Sequence, residues 1–343
     1  MGSACSGVDD LTAPQLRSAP DDLQALVDAA ALLLGLPQAF IEKDFWVVEV
    51  LRSAMKARTI PDKSGADLPV TAVFKGGTSL SRAFGIIHRF SEDVDLLIGF
   101  PDECSTKAKD KFLKAICNEI RTHLGLDGDH EKLEGSSTGV KRNMRYYFPA
   151  SYGSPAITEG VLLEMGTRGG TFPTETRHIR SLAAEYAIDV LNEPESAYEE
   201  FAAVPVRVLA PERTLLEKLA LVHDAVTRLP EQSAQAALER GGRHFYDIHC
   251  LLNDDRVVSA LAEAGKDGVA RLVADIGDHS TAASFPFTER PAEGYAASRA
   301  FSPDEESLPH LERSYQLATA LIYGDAPTLK ECLATVRSAA HLI

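Results

Sequence analysis

The sequence predicts an α+β protein: a unit of helices and strands with a mixed or antiparallel sheet, followed by a mainly helical part. Three observations predict it. Runs rich in β-branched and apolar residues (Val70–Phe74, Val94–Ile98, Met144–Phe148, Val161–Met165) alternate with segments of helical spacing in the first half of the chain. Past Pro205 helical spacing dominates, which divides the chain into domains 1–205 and 206–343. The 343 residues, 45% hydrophobic and 25% charged, are enough for one large domain or two ordinary ones.

Taken in order, Asp21 and Asp22 cap a helix whose Leu23, Leu26, Val27, Ala30 and Leu33 share one face, and Gly35 with Pro37 ends it. A second helix, from Gln38 to Met55, carries the block Glu42-Lys43-Asp44-Phe45-Trp46. Thr59 to Leu68 reads as loop, and Val70 to Phe74 as the first strand. Gly76-Gly77 leads into a short helix, Thr78 to Phe84, stopped by Gly85. The strand Val94 to Ile98, an amphipathic helix from Lys107 to Leu124 and two further strands follow. Val206 to Leu209 is a last short strand. Pro211–Arg228, Ser233–Arg240, Phe245–Leu252, Val257–Ile276 and Leu311–Tyr323 read as helices, with His279 to Leu308 a long loop or ordered excursion.

Fifty acidic against 35 basic side chains give a net charge of −15, which excludes a broad nucleic-acid-coating surface. No stretch approaches the roughly 18 continuous apolar residues of a membrane span, so no membrane partner is expected. Cys5, Cys104, Cys117, Cys250 and Cys332 are scattered without a CxxC pair, so a reducing cytoplasm is expected rather than disulfides. Ten histidines include no HExxH and no Cys/His ligand spacing, so no zinc is expected. Met1, Gly2 and Ser6 match the bare spacing of a myristoylation signal beside Cys5; a loose leader explains the same residues.

The chemistry concentrates in Lys75-Gly76-Gly77-Thr78-Ser79 and Arg89-Phe90-Ser91-Glu92-Asp93-Val94-Asp95. Two glycines between strand and helix let the backbone approach a ligand and turn helix amides and the hydroxyls of Thr78 and Ser79 toward an anion. The same pair also serves as a plain connection. A phosphoryl group on Ser79 or Thr78 would block such a cradle by charge and bulk. Asp93 and Asp95, two apart on a strand, point to one face, and hard carboxylate oxygens beside phosphates suit Mg²⁺. Glu164, in an apolar strand, either joins that metal or bridges to Arg168. Lys75 and Arg89 meet either phosphate or structural acids. Lys141, Arg142, Arg145, Tyr146 and Tyr147 interleave basic and aromatic groups that either grip an RNA end or make a solvated face. Gly135 to Lys141 has phosphate-loop composition with the wrong spacing and reads as a turn into a strand.

These residues resemble the signature of the nucleotidyltransferase superfamily that includes DNA polymerase β, and more closely the AbiEii/MenT group of bacterial nucleotidyltransferase toxins. Glu42 to Trp46, Pro211 to Leu219 and Arg243 to Ile248 resemble three further blocks of that group, in the expected order across residues 38–252. The resemblance implies a polymerase-β-like fold. It implies that Asp93 and Asp95 bind the catalytic metals, Mg²⁺ or Mn²⁺, that Gly76 to Ser79 hold the phosphates of an NTP, and that Lys218 and Asp247 belong to the active site. On its own helix Lys218 sits at the edge of the apolar face, and Asp247 reads as half of an exposed pair with Arg243. The resemblance further implies an RNA acceptor, foremost the tRNA 3′ end, growth arrest through blocked translation, and a cognate antitoxin. A binding module acting by sequestration, or transfer to a protein hydroxyl, stands as the alternative.

Overall fold

The computed structural model describes residues 13–343 except 63–64, 92, 103, 156, 320–321 and 324–325, so the N-terminal lipidation spacing lies outside the described residues. Helix α1 (Pro20–Leu34) starts with proline at its first position and stops at Gly35, whose φ of 65° is left-handed. Asp21 and Asp22 do not cap it: the cap position is Ala19, and the two carboxylates lie in the first turn, where they complement the helix dipole.

Helix α2 (Gln38–Ala54) is buried along most of its length, the charged block included. Each charge has a partner, as burial requires. The Glu42 carboxylate accepts from the amides of Ser151 and Tyr152 at 2.8 and 3.1 Å, and Lys43 Nζ donates to the Thr158 carbonyl at 2.6 Å. Asp44 accepts from the Leu182 amide at 2.6 Å and pairs with Arg82 at 2.9 Å. The block therefore anchors three distant segments onto one helix.

Among the described residues the strands are β1 (Arg58–Pro61), β2 (Asp67–Lys75), β3 (Asp93–Gly99), β4 (Glu131–Ser137), β5 (Lys141–Tyr146), β6 (Val161–Gly166), β7 (Thr174–Ile179) and β8 (Val204–Leu209). They form one sheet in the order β4-β5-β6-β3-β2-β8-β7, with β1 paired to β2. β2 with β8 and β3 with β6 run parallel and the other pairs antiparallel, the mixed sheet expected from the sequence. The segment read as loop from Thr59 to Leu68 is instead a hairpin, with Arg58 opposite Val70 and Pro61 opposite Asp67. β4 and β7 were also not apparent from composition; both are polar strands, and β7 closes one edge of the sheet.

One face of the sheet, with Phe74, Val94, Leu96, Leu163 and Met165, is buried in the main core, where α2, α4 (Thr106–His123) and α5 (Leu182–Asp189) pack. The other face carries the small apolar cluster Val73, Leu97 and Leu209 and the polar ends of the same strands. The helical part follows the sheet: α6 (Pro211–Thr227), α7 (Gln232–Gly241), α8 (Arg243–Leu252), α9 (Asp255–Ala282), α10 (Leu308–Ala318) and α11 (Leu329–Ser338), whose Leu215, Leu219, Phe245 and Leu311 join the main core. β8 spans the boundary expected at residue 205, so the change to helices comes at Pro211, after the sheet is complete. The passage between α9 and α10 is ordered and buries Tyr295, Ala300 and Phe301. No single helix among the described residues is long and apolar enough to cross a membrane. Cys104, Cys117, Cys250 and Cys332 are all free.

Candidate active site

Register builds the site. Lys75 at the end of β2 stands opposite Asp95 on β3, Asp95 opposite Glu164 on β6, and Glu164 opposite Asn143 on β5. Four polar residues thus form one row across four strands, on the face away from the main core, and Asp93 projects to the same side two positions along β3. Asn143 Nδ2 donates to Glu164 Oε1, while Asn143 Oδ1 is buried without a hydrogen-bond partner. Glu164 therefore does not bridge to Arg168. Burial pushes the Asp95 carboxyl up, Lys75 opposes the shift and the adjacent Glu164 adds to it, leaving Asp95 at about 6.

The turn from β2 into α3 (Gly76–Arg82) needs both glycines. Gly76 has φ 81°, and a Cβ there would run into the Asp95 carboxylate. A Cβ on Gly77 would stand 2.6 Å from Arg89 Nη2 and 2.7 Å from Ser91 Oγ. The backbone of this turn therefore lies directly against the acidic row. The hydroxyls do not face outward as expected: Thr78 Oγ1 donates to the Asp93 carbonyl at 2.5 Å and Ser79 Oγ to the Gly76 carbonyl at 2.9 Å, and both residues are buried. Thr78 thereby fastens the turn to β3, and Ser79 closes the turn on itself.

Asp247 is not half of an exposed pair with Arg243. It is fully buried, accepting from Arg89 Nε at 2.6 Å and Nη2 at 2.8 Å, with Lys218 Nζ at 2.8 Å. Burial alone would raise its carboxyl; Arg89 and then Lys218 hold it well below the usual range. Lys218, from α6, also has His244 Nδ1 at 3.3 Å. Burial, with Lys218 adding, pushes His244 down to about 4, so its ring is neutral at pH 7. Two cations face one anion here, and burial holds the Lys218 ammonium below its ordinary range while Asp247 opposes that shift. Arg89, 1% exposed and bound also to the Phe90 carbonyl, holds Asp247 in place and lies under Gly77.

Compared with known proteins, residues 64–335 match the family model described as nucleotidyl transferase AbiEii toxin, type IV toxin–antitoxin system. The chain belongs to the AbiEii family. A search of the curated proteins returns no match. Among solved structures the chain is similar to MenT4, a nucleotidyltransferase toxin from Mycobacterium tuberculosis H37Rv, at 19% identity and a TM-score of 0.35, covering 87% of this chain and 98% of that one.

As an AbiEii protein the chain is a nucleotidyltransferase toxin of a type IV toxin–antitoxin system, a family that uses a nucleoside triphosphate and a divalent metal and is paired with an antitoxin. The residues fit such a metal. Asp93 and Asp95 offer hard oxygens on one face, Asp95 is held against Glu164 with Lys75 opposite, and the unpartnered Asn143 Oδ1 lies on the same row. Among the described residues no three His, Cys, Asp or Glu side chains converge as a ready cage.

The basic and aromatic run on β5 divides between the two faces. Tyr146 is buried and donates to the Cys117 carbonyl at 3.1 Å, whereas Lys141 and Arg145 share the face of Asn143. Arg145 pairs with Glu134 at 3.1 Å. Sequence reasoning passed over Asn143 and His244 as site residues. Only strand register reveals Asn143. His244 lies inside a recognised block, but its closeness to Lys218 depends on how α6 and α8 pack.

Proposed function

We propose that this AbiEii enzyme transfers a nucleoside monophosphate from an NTP to an RNA 3′ end, with tRNA the leading acceptor, and thereby blocks translation until its antitoxin intervenes. The observation that carries the reading is the row Lys75–Asp95–Glu164–Asn143, set against the Gly76-Gly77 turn, beneath which Arg89 leads through Asp247 to Lys218. Asp93 and Asp95, with Glu164 beside them, would hold Mg²⁺ or Mn²⁺, which when bound neutralises phosphate charge and lowers the pKa of an attacking hydroxyl.

The remaining work falls to the chain itself. The backbone of Gly76 to Ser79 receives the phosphates, and Lys75 adds a point charge at the strand end. Lys218 offsets the charge that develops on the leaving pyrophosphate, and Asp247, held by Arg89, keeps that ammonium aimed at the cleft. The two parts of the chain, the sheet unit up to β8 and the helices beyond it, then share one site. Lys141 and Arg145, on the same sheet face as the carboxylates, contact the acceptor strand locally, which reconciles RNA binding with a net charge of −15. The test is incubation with Mg²⁺, each labelled NTP and total tRNA. Label should enter tRNA with the parent and not with Asp93→Ala; equal labelling by both would remove the assignment.

A further inference from the structure

A cavity of about 210 Å³ opens beside the acidic row, lined by Lys75, Arg168, Glu217, Leu221, Phe285 and Phe287 among others. Its position is fixed by Lys75, which both lines it and stands opposite Asp95 in register. Arg168 is exposed and makes no hydrogen bond or ion pair among the described residues, so a second cation stands at the same mouth. The far wall is apolar and aromatic. Phe287 is seated against α9, where a Cβ on Gly277 would come within 2.7 Å of its ring, and Phe285 is 64% exposed.

Glu217, Asp224, His279 and Ser280 also line this space, and Glu217 stands with one carboxylate oxygen uncommitted. Glu217 Oε1 accepts from Arg213 Nε at 3.1 Å, and Arg213 is in turn buried and fixed by Asp275 at 2.5 Å and by the Phe172 carbonyl at 3.3 Å. Glu217 Oε2 accepts no hydrogen bond among the described residues. The volume lies below the roughly 300–1,000 Å³ of pockets for drug-sized ligands, so it suits one flat ring system rather than a whole nucleotide.

We propose that this cavity is the nucleobase subsite of the NTP. The base lies against Phe285 and Phe287 with an amino N–H directed at Glu217, and its phosphates run past Arg168 and Lys75 to Asp93 and Asp95. This rests on the transferase reading above and adds to it the residues that select the base. A fixed carboxylate acceptor favours adenine, cytosine or guanine, whose amino groups donate, over uracil, whose N3–H is flanked by carbonyls that a carboxylate repels.

The test is binding, measured by titration calorimetry with Mg²⁺, of each NTP and of inorganic tripolyphosphate, which has no base. The parent should bind an amino-bearing NTP more tightly than tripolyphosphate. Phe285→Ala, at an exposed position that leaves folding intact, should weaken that NTP about tenfold by loss of stacking and leave tripolyphosphate unchanged. Glu217→Gln should narrow the gap between amino-bearing NTPs and UTP. Phe285→Ala binding the NTP as tightly as the parent, or a parent that gains nothing from the base, would overturn the subsite while leaving the transferase reading intact. A parent that binds neither NTP nor tripolyphosphate would overturn both.

Discussion

At pH 7 the Asp95 carboxylate is ionised in a partly buried row beside Glu164, with Lys75 its facing cation. Its folded-state pKa of about 6 lies above the ordinary 3.8. Between those values the folded protein holds a proton that the unfolded chain releases, so this group lowers stability as pH rises toward 6 and leaves the loss constant above it. Asp95→Asn should therefore melt higher than the parent at pH 7.5, on the order of 2–5 °C, with the gap shrinking toward pH 4, while activity disappears. Thermal melts across pH check this, and divalent metal at pH 7.5 should raise the parent's melting temperature but not the variant's. Asp247 has the opposite sign: its depressed carboxyl contributes stability above about pH 4 that is lost as pH falls further. Asp247→Asn leaves Arg89 and Lys218 buried without their anion and should cost about 3–5 kcal/mol in urea denaturation. The two aspartates also differ in legibility. Asp93 and Asp95 were readable because strand period alone places them on one face. Asp247 looked exposed because α8 by itself says nothing of Arg89, which arrives from a segment 158 residues earlier in the chain.

The turn between β2 and α3 shows what an element can and cannot reveal in advance. The paired glycines marked a close backbone approach, but that the approaching group is Asp95 follows only from the β2–β3 register. Gly76→Ala forces a Cβ into a left-handed residue, costing about 1–2 kcal/mol, and displaces the Asp95 carboxylate. Incorporation should fall about a hundredfold, the effect of a misplacement near 1 Å. Gly85→Ala is the control: its φ is 65° but a Cβ there meets nothing within 4 Å, so it should show a similar melting loss with activity retained. Equal activity loss in both variants would mean that backbone strain, not the Asp95 contact, is responsible. Apolar strands were legible by their residues. β1, β4 and β7 were not, since polar strands are held by pairing to neighbours and carry little signal of their own. The block Glu42 to Trp46 was visible as a motif, whereas its use as an anchor depends on Ser151, Thr158 and Leu182 coming from other segments.

For the whole molecule, the decisive fact is that one contiguous core runs from Leu16 through Leu215, Phe245 and Leu311 to Ile343. The sequence suggested two units because its patterning changes near residue 205, and composition cannot show that the second unit packs onto the first. It does so through charge as well as apolar area. Arg89 belongs to the sheet unit and its bidentate partner Asp247 to the helices; Tyr323 near the C-terminal end donates its amide to the His88 carbonyl at 3.1 Å, beside that same arginine. A fragment ending at residue 210 keeps every described strand and all three carboxylates yet loses the part of the core that Leu215, Phe245 and Leu311 supply and leaves the Arg89 guanidinium without its anion. It should therefore fail to show a cooperative urea transition, and adding Mg²⁺ with NTP should not restore one, because Lys218 and the Glu217 side of the cleft are also missing. A cooperative fragment that binds Mg²⁺ and NTP as the full chain does would place the whole site in the sheet unit and make the helices dispensable. If the fragment instead regains a transition only when residues 211–343 are supplied as a separate chain, the two parts meet across the Arg89–Asp247 pair, and Asp247→Asn in the second chain should abolish that rescue.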